Sequence, residues 1–198
     1  MKKRFKLFTL LMALVLAVAF LPGCGGDDGF PAALQELADE AMGYLELYAP
    51  QLDGWWGDLH VALIESEEGE DFEYFEEMQD AVHAFVLQSG YDYIYALYPV
   101  NPDVPFVVPY MLTVDGSMDP EEFGIEYEWE EGFTAAWEGD IAAADYLWIT
   151  EDGGYALSAY APIHDSEGEV VAILGIDFPV PDDVAEANAD WIWIEEDE

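Results

Sequence analysis

The sequence predicts an α+β domain in which helices come first and an antiparallel sheet comes last. Apolar residues recur at helical spacing through the first part of the chain. From residue 91 the pattern changes to aromatic and β-branched runs punctuated by Gly, Pro, Asn and Asp. The last three of these runs follow one another closely, with connectors short enough for hairpin turns.

Pro31–Ala49 carries Leu34, Leu37, Ala38, Ala41, Leu45 and Tyr48 on one helical stripe, with Pro31 suited to a first turn. Pro50 and Gly54 interrupt it, and Trp55–Ile64, ambiguous in pattern, is read as helical. After the acidic loop Glu65–Asp71, the residues Phe72, Phe75, Met78, Val82, Phe85 and Val86 share one face of a further helix. Gly90 supplies its stop. Strands are expected at Tyr91–Tyr98 and Phe106–Val114, then a mixed stretch Met118–Gly139 with a short helix near Phe133–Glu138. Three strands close the fold: Asp145–Thr150, Tyr155–Ile163 and Glu169–Phe178, with Pro179 and Pro181 ending the sheet.

The charges are segregated. Lys2, Lys3, Arg4 and Lys6 are the only basic residues apart from three histidines, and all precede the apolar run Leu7–Leu21; all 44 acidic residues follow it. This pattern reads as a signal peptide, since the run falls short of the roughly 20 apolar residues of a comfortable membrane span. Leu21-Pro22-Gly23-Cys24 resembles the lipobox of bacterial lipoproteins, which implies a diacylglyceryl group on Cys24, the only cysteine. The expected organisation is a lipoprotein signal peptide at 1–23, a flexible tether at 24–30, a ligand-binding domain at 31–181 and an acidic tail at 182–198. With one cysteine, no disulfide can form within the chain.

An apolar content of 53% and an aromatic content of 15% exceed what a disordered acidic tail carries, so the acid must coat a folded body. Nucleic acid is excluded as a partner, because phosphate binding relies on Lys and Arg. The plainest reading of the overall charge is adaptation to saline or alkaline surroundings, where a solvated acidic surface keeps a protein soluble, with a functional origin as the alternative.

At the last strands the residues Ala159-Tyr160-Ala161-Pro162-Ile163, Asp165, Gly168, Val170-Val171 and Leu174-Gly175-Ile176-Asp177 resemble the C-terminal signature of Cache domains, which are extracytoplasmic PAS-like sensor modules. The resemblance covers roughly residues 31–180 and implies N-terminal helices packed on a PAS-like antiparallel sheet, with a ligand pocket between the sheet and its covering loops. In amino-acid-binding members an Arg-x-Trp-Tyr cluster clamps the ligand carboxylate, and an Asp of the last strand takes the amino group. Alignment on Ala136 and Gly139 puts Glu130, Gly132 and Phe133 in the cluster's place, so the clamp is lost and its charge reversed. Asp177 is retained.

Alternation places Val171, Ile173, Gly175 and Asp177 on one strand face, with Gly175 leaving room for an approaching group. Tyr146 and Trp148 share a face of their own strand. An aspartate beside Tyr and Trp rings suits ammonium ligands through charge pairing and cation–π attraction. Tyr93, Tyr95, Tyr110, Trp129, Trp137 and Tyr160 are further candidates for the pocket. A buried Asp177 would need a partner, and no Lys or Arg follows Lys6 to provide one.

The expected function is a lipid-anchored extracytoplasmic small-molecule-binding, sensor-type domain for an amine-like or neutral ligand. It would have no intrinsic signalling output, so sensing would need a protein partner. No cofactor is expected. The alternative is an acidic surface lipoprotein that binds divalent cations or docks a partner. The clusters Asp115, Asp119, Glu121, Glu122 and Asp165, Glu167, Glu169 lack the roughly twelve-residue EF-hand spacing, and His60, His83 and His164 lack a transition-metal spacing. Enzymatic chemistry is not expected, since no triad order, phosphate loop or basic oxyanion stabiliser is present.

Overall fold

In the computed structural model, which describes residues 30–66, 71–89, 93–97, 107–110, 125–128, 130–150 and 153–193, the first apolar repeat becomes α1, Ala32–Tyr48, with Leu34, Ala38, Ala41 and Leu45 buried. Pro31 stands at its N-cap, where a missing N–H costs nothing. After a 3-10 turn at Ala49–Gln51, Gly54 at φ 76° opens α2, Trp55–Glu65; a left-handed backbone of this kind suits glycine. The third helix, α3, spans Phe75–Ser89 and buries Phe75, Met78, Val82 and Phe85. Phe72 precedes it, in the turn whose carbonyl accepts the Phe75 N–H. Gly90 lies outside the described residues.

The sheet is built from β1 Tyr93–Leu97, β2 Val107–Tyr110, β3 Ile125–Glu128, β4 Ala142–Ala143, β5 Trp148–Ile149, β6 Tyr155–His164 and β7 Val170–Val180, with α4, Glu131–Trp137, between β3 and β4. The described pairs are antiparallel, in the order β3-β2-β1-β7-β6-β4, and β5 also pairs with β6. The first strand thus sits mid-sheet, and the last hairpin returns to lie beside it. This is an α+β fold with N-terminal helices on an antiparallel sheet, as expected. Pro31–Glu198 forms one compact unit.

The β6–β7 hairpin is the spine of the sheet, paired from Tyr155↔Val180 to His164↔Val170 with one irregularity at Ile163/His164. Asp165 Oδ1 accepts the backbone N–H groups of Glu167 and Glu169, so this acidic trio belongs to the hairpin turn. The turn is docked on the helices: Asp53 Oδ1 accepts the His164 N–H and Asp58 Oδ1 accepts the Ser166 N–H. Gly57 lies so close to the His164 carbonyl that a Cβ there would stand 2.3 Å from its oxygen.

Four boundaries differ from the sequence expectation. Of the strand expected at Asp145–Thr150 only Trp148–Ile149 forms, and a separate short strand, Ala142–Ala143, precedes it. Between them Leu147 turns to another partner, its N–H donating to Trp191 O at 2.8 Å and its carbonyl accepting the Trp193 N–H at 2.7 Å. A strand, β3, lies in the stretch read as mixed, and α4 begins at Glu131 rather than near Phe133. Pro179 sits inside β7 opposite Ala156 instead of ending the sheet. Beyond Asp177 the described pairing of β7 is with β6 alone, which leaves one backbone side where a missing N–H is tolerated. Pro181 does end the strand and caps α5, Asp182–Ala187. The acidic segment from Asp182 starts as this helix, and Ile192 bridges Leu147 in parallel.

The two sheet faces differ. Ile94, Ala96, Ala159, Ala161, Ile163, Ala172, Leu174 and Ile176 pack with Leu45, Leu52, Trp56, Leu63, Met78 and Val82 of the helical layer. Trp56 is fully buried, its indole N–H donating to Met78 O, and stacks on His60. Alternation turns the intervening residues Tyr95, Ser158, Tyr160, Gly175 and Asp177 to the other side.

Candidate functional site

The hairpin register sets Ser158 opposite Asp177 and Tyr160 opposite Gly175, while β1 sets Tyr95 on the other flank of Gly175. The room at Gly175, expected to admit a ligand, is taken by the Tyr95 ring: a Cβ on Gly175 would stand 2.1 Å from its Cε2. The glycine thus lets Tyr95 lie flat across β7 and bring its hydroxyl to Asp177.

Asp177 is 9% exposed. Tyr95 Oη donates to its Oδ1 at 2.9 Å and Ser158 Oγ donates to the same oxygen at 2.8 Å. Trp148 Nε1 in turn donates to Ser158 Oγ at 3.1 Å, fixing the direction of the serine proton. Among the described residues no group bonds Oδ2. Burial raises the Asp177 carboxyl to about 7, the Ser158 and Tyr95 hydroxyls pull it back, and the charge of Glu130 adds to the rise.

Glu130 is the second carboxylate, placed just ahead of α4. Its Oε2 accepts the Tyr160 hydroxyl at 3.0 Å, and its charge acts on the Tyr146 phenol. Burial and then the Glu130 charge push the phenols of Tyr146 and Tyr160 well up. Burial and then the Asp177 charge do the same to Tyr95. All three stay protonated as donors at neutral pH. The Phe133 ring meets Tyr160 edge-on at 4.6 Å, and Gly132 packs under the Tyr160 ring, where a Cβ would stand 2.6 Å from Cδ2.

Seven candidates from the sequence, Asp177, Tyr95, Tyr146, Trp148, Tyr160, Glu130 and Phe133, therefore converge on one side of the sheet. Tyr110 is placed by its backbone, paired with Leu97 and Ile125; Trp129 and Cys24 lie outside the described residues. Ser158 was not foreseen, although it shares alternation with Tyr160. Its partner depends on the hairpin register.

Chemically the cluster joins two carboxylates, four hydroxyls and an indole, with no ammonium or guanidinium after Lys6 in the sequence. It can receive positive charge, and it offers neutral hydroxyl and indole donors but no cationic side chain. Among the described residues no group of three or more His, Cys, Asp or Glu side chains is arranged to hold a metal ion, and no helix is long and apolar enough to cross a membrane. An open cleft of about 190 Å³ lies elsewhere, between the end of α1 and β6, lined by Glu46, Asp53, Ile141, Pro162 and His164 among others.

No protein-family model matches the chain, and no curated protein matches it. Among solved structures it is similar to the sensor domain of E. coli DcuS, with 14% identity and TM-score 0.45 over 73% of this chain and 89% of that one. It is also similar to the sensor domain of the V. cholerae histidine kinase DctB, with 12% identity and TM-score 0.43 over 74% of this chain and 57% of that one. A third likeness is to the ligand-binding domain of the Campylobacter jejuni chemoreceptor Tlp3 in complex with 4-methylisoleucine, with 11% identity and TM-score 0.35 over 75% of this chain and 61% of that one.

Proposed function

We propose that the chain is an extracytoplasmic, lipid-anchored, sensor-type domain that binds a small amine-like ligand at Asp177. One observation carries this reading. A nearly buried carboxyl has two hydroxyl donors on one oxygen, no described partner on the other, and no Lys or Arg anywhere after Lys6 to meet it. An apolar enclosure disfavours the charged form, and an incoming ammonium restores it by supplying the missing charge. Tyr95, bonded to Asp177, and Trp148, bonded to Ser158, bring two aromatic rings to the same cluster, and a cation over such a ring gains about 0.5–2 kcal/mol. Anchoring through Cys24 rests on the basic start, apolar run and Leu-Pro-Gly-Cys sequence.

The test is a thermal-shift screen of the purified protein at fixed high salt against amines, betaines, amino acids, carboxylates and divalent cations. A selective upward shift with organic cations, absent in Asp177→Asn, is expected. A shift with calcium or magnesium alone, or an amine shift that survives Asp177→Asn, overturns the reading.

A further inference from the structure

We propose that the cleft between the end of α1 and β6 is a docking socket for a protein partner, which seats an arginine or lysine side chain in it and covers the exposed Leu47 and Trp55. None of the residues around Asp177 lines this cleft, so docking here is independent of the amine site.

The cleft, of about 190 Å³, has an apolar floor that includes Ala49, Pro50, Ile141 and Pro162, and three polar residues, Glu46, Asp53 and His164. A basic side chain has the matching build, an aliphatic stem that packs on apolar surface and a charged head. Acceptors for that head are in place. Among the described residues both bonds to Asp53 fall on Oδ1, from the His164 N–H at 2.8 Å and from its Nδ1 at 3.1 Å, which leaves Oδ2 open. A carboxylate only accepts, so Nδ1 carries the imidazole proton and Nε2 of the neutral ring is a further acceptor. Glu46, exposed at the same cleft, brings a second carboxylate.

Next to these acids in the chain, two apolar side chains stand out of the core. Leu47, which follows Glu46, is 68% exposed, and Trp55, two residues beyond Asp53, is 44% exposed. They share a tethered ridge: Trp55 Nε1 donates to Gln51 O at 3.1 Å, and Gln51 Nε2 donates to Leu47 O at 2.9 Å. The indole is thus fixed before a partner arrives, which lowers the cost of ordering it in an interface. A small cation would leave this ridge bare, whereas a protein segment covers it, with the tryptophan as an anchor. Charge then selects the partner. No Lys or Arg follows Lys6, so a second copy of the domain brings carboxylates to carboxylates, and nucleic acid brings phosphate. A basic protein surface complements the rim and is drawn in by a net charge of −40.

The experiment is fluorescence anisotropy of labelled pentapeptides with the full purified protein at fixed ionic strength. Leu-Ala-Arg-Ala-Leu is compared with forms carrying lysine or neutral citrulline at the centre, and with Gly-Ala-Arg-Ala-Gly. The arginine and lysine forms should bind more tightly than the citrulline form. Glu46→Gln and Asp53→Asn should each weaken the arginine peptide about two- to fivefold, the worth of a partly exposed ion pair. Asp53→Asn keeps an oxygen for the His164 N–H, and Glu46→Gln changes only an exposed side chain should the first variant fail to fold. Glu36→Gln, exposed about three turns earlier on α1, and Asp177→Asn should change nothing. Trp55→Ala should weaken the leucine-flanked peptide about fivefold and spare the glycine-flanked one. Equal binding of the citrulline form, or an equal loss in Glu36→Gln, reduces the attraction to diffuse charge and overturns the socket. Equal affinity for the two arginine peptides, with no effect of Trp55→Ala, makes the cleft a small-cation site and overturns the docking surface. Binding of neither peptide overturns both.

Discussion

The two faces of the central sheet are made from the same strands by opposite rules. Toward the helices β1, β6 and β7 present Ile94, Ala96, Ala159, Ala161, Ile163, Leu174 and Ile176, small or branched aliphatics that a helical layer covers. Toward the other side the same strands present Tyr95, Ser158, Tyr160 and Asp177, each hydrogen-bonded. Even the buried titratable groups divide. His60 on the helical side is held neutral, and Asp177 on the other is held near the edge of ionisation. Period-two alternation lets one hairpin serve a stable core and a polar site at once.

The comparison breaks most visibly if the helical side is hollowed out. Trp56→Ala removes a fully buried indole and its bond to Met78, and should cost about 3–5 kcal/mol in urea denaturation. Amine affinity per folded molecule should be unchanged; a parallel loss of affinity would show that the faces are not independent. On the other side Gly175→Ala forces a methyl against the Tyr95 ring and should cost about 1–3 kcal/mol. Because Tyr95 is displaced from Asp177, this variant should also lose amine affinity, which Trp56→Ala does not.

The pH dependence should separate the faces with opposite signs. The Asp177 carboxyl is held at about 7 against an ordinary 3.8, so the folded chain keeps a proton there that the unfolded chain has released. Its contribution to stability is full in acid and fades as pH rises through 7. His60 is held at about 3 against 6.5 by burial, partly offset by a backbone bond at Val171. There the unfolded chain binds the extra proton, and stability is lost as pH falls from 6.5 toward 3. Denaturation curves across this range should show that Asp177→Asn removes the decline toward neutral pH and retains the acid-side loss. Persistence of the neutral-side decline at full size would contradict the assignment to Asp177. The smallest expected effect is general: with 44 acids and so few bases, the melting temperature should rise from dilute buffer to molar NaCl. A salt-insensitive melt would argue against self-repulsion as a force on this fold.

Much of this was legible beforehand. The stripe from Leu34 to Leu45 and that from Phe75 to Phe85 announce their helices because burial on one side imposes the period. The β6–β7 hairpin announces itself through two long apolar runs around a Gly turn. The stretch Ile125-Glu126-Tyr127-Glu128 did not, because its acids dilute the pattern of a short strand paired, among the described residues, only with β2. In the site, Asp177 stood out as an acid in an apolar run with no base to match it. Ser158 did not, because its partner is decided by register, and a one-residue slip would turn it to the other face. The filling of Gly175 was hidden for the same reason. A missing side chain in a sequence reads as space, whereas in the sheet the neighbouring strand had already supplied a ring.

The pair of hydrogen bonds at Leu147 bears on how the molecule can be handled. Tyr146 and Trp148 flank the residue that Trp191 and Trp193 grip from both sides, so their positions share an attachment with the last described turn of the chain. A purification tag or fluorescent fusion joined at Glu198 would begin only a few residues beyond that grip. Disturbing that attachment would reach Tyr146 and Trp148, far away in sequence, through the backbone of Leu147 between them, so a handle placed elsewhere is the better choice for any titration.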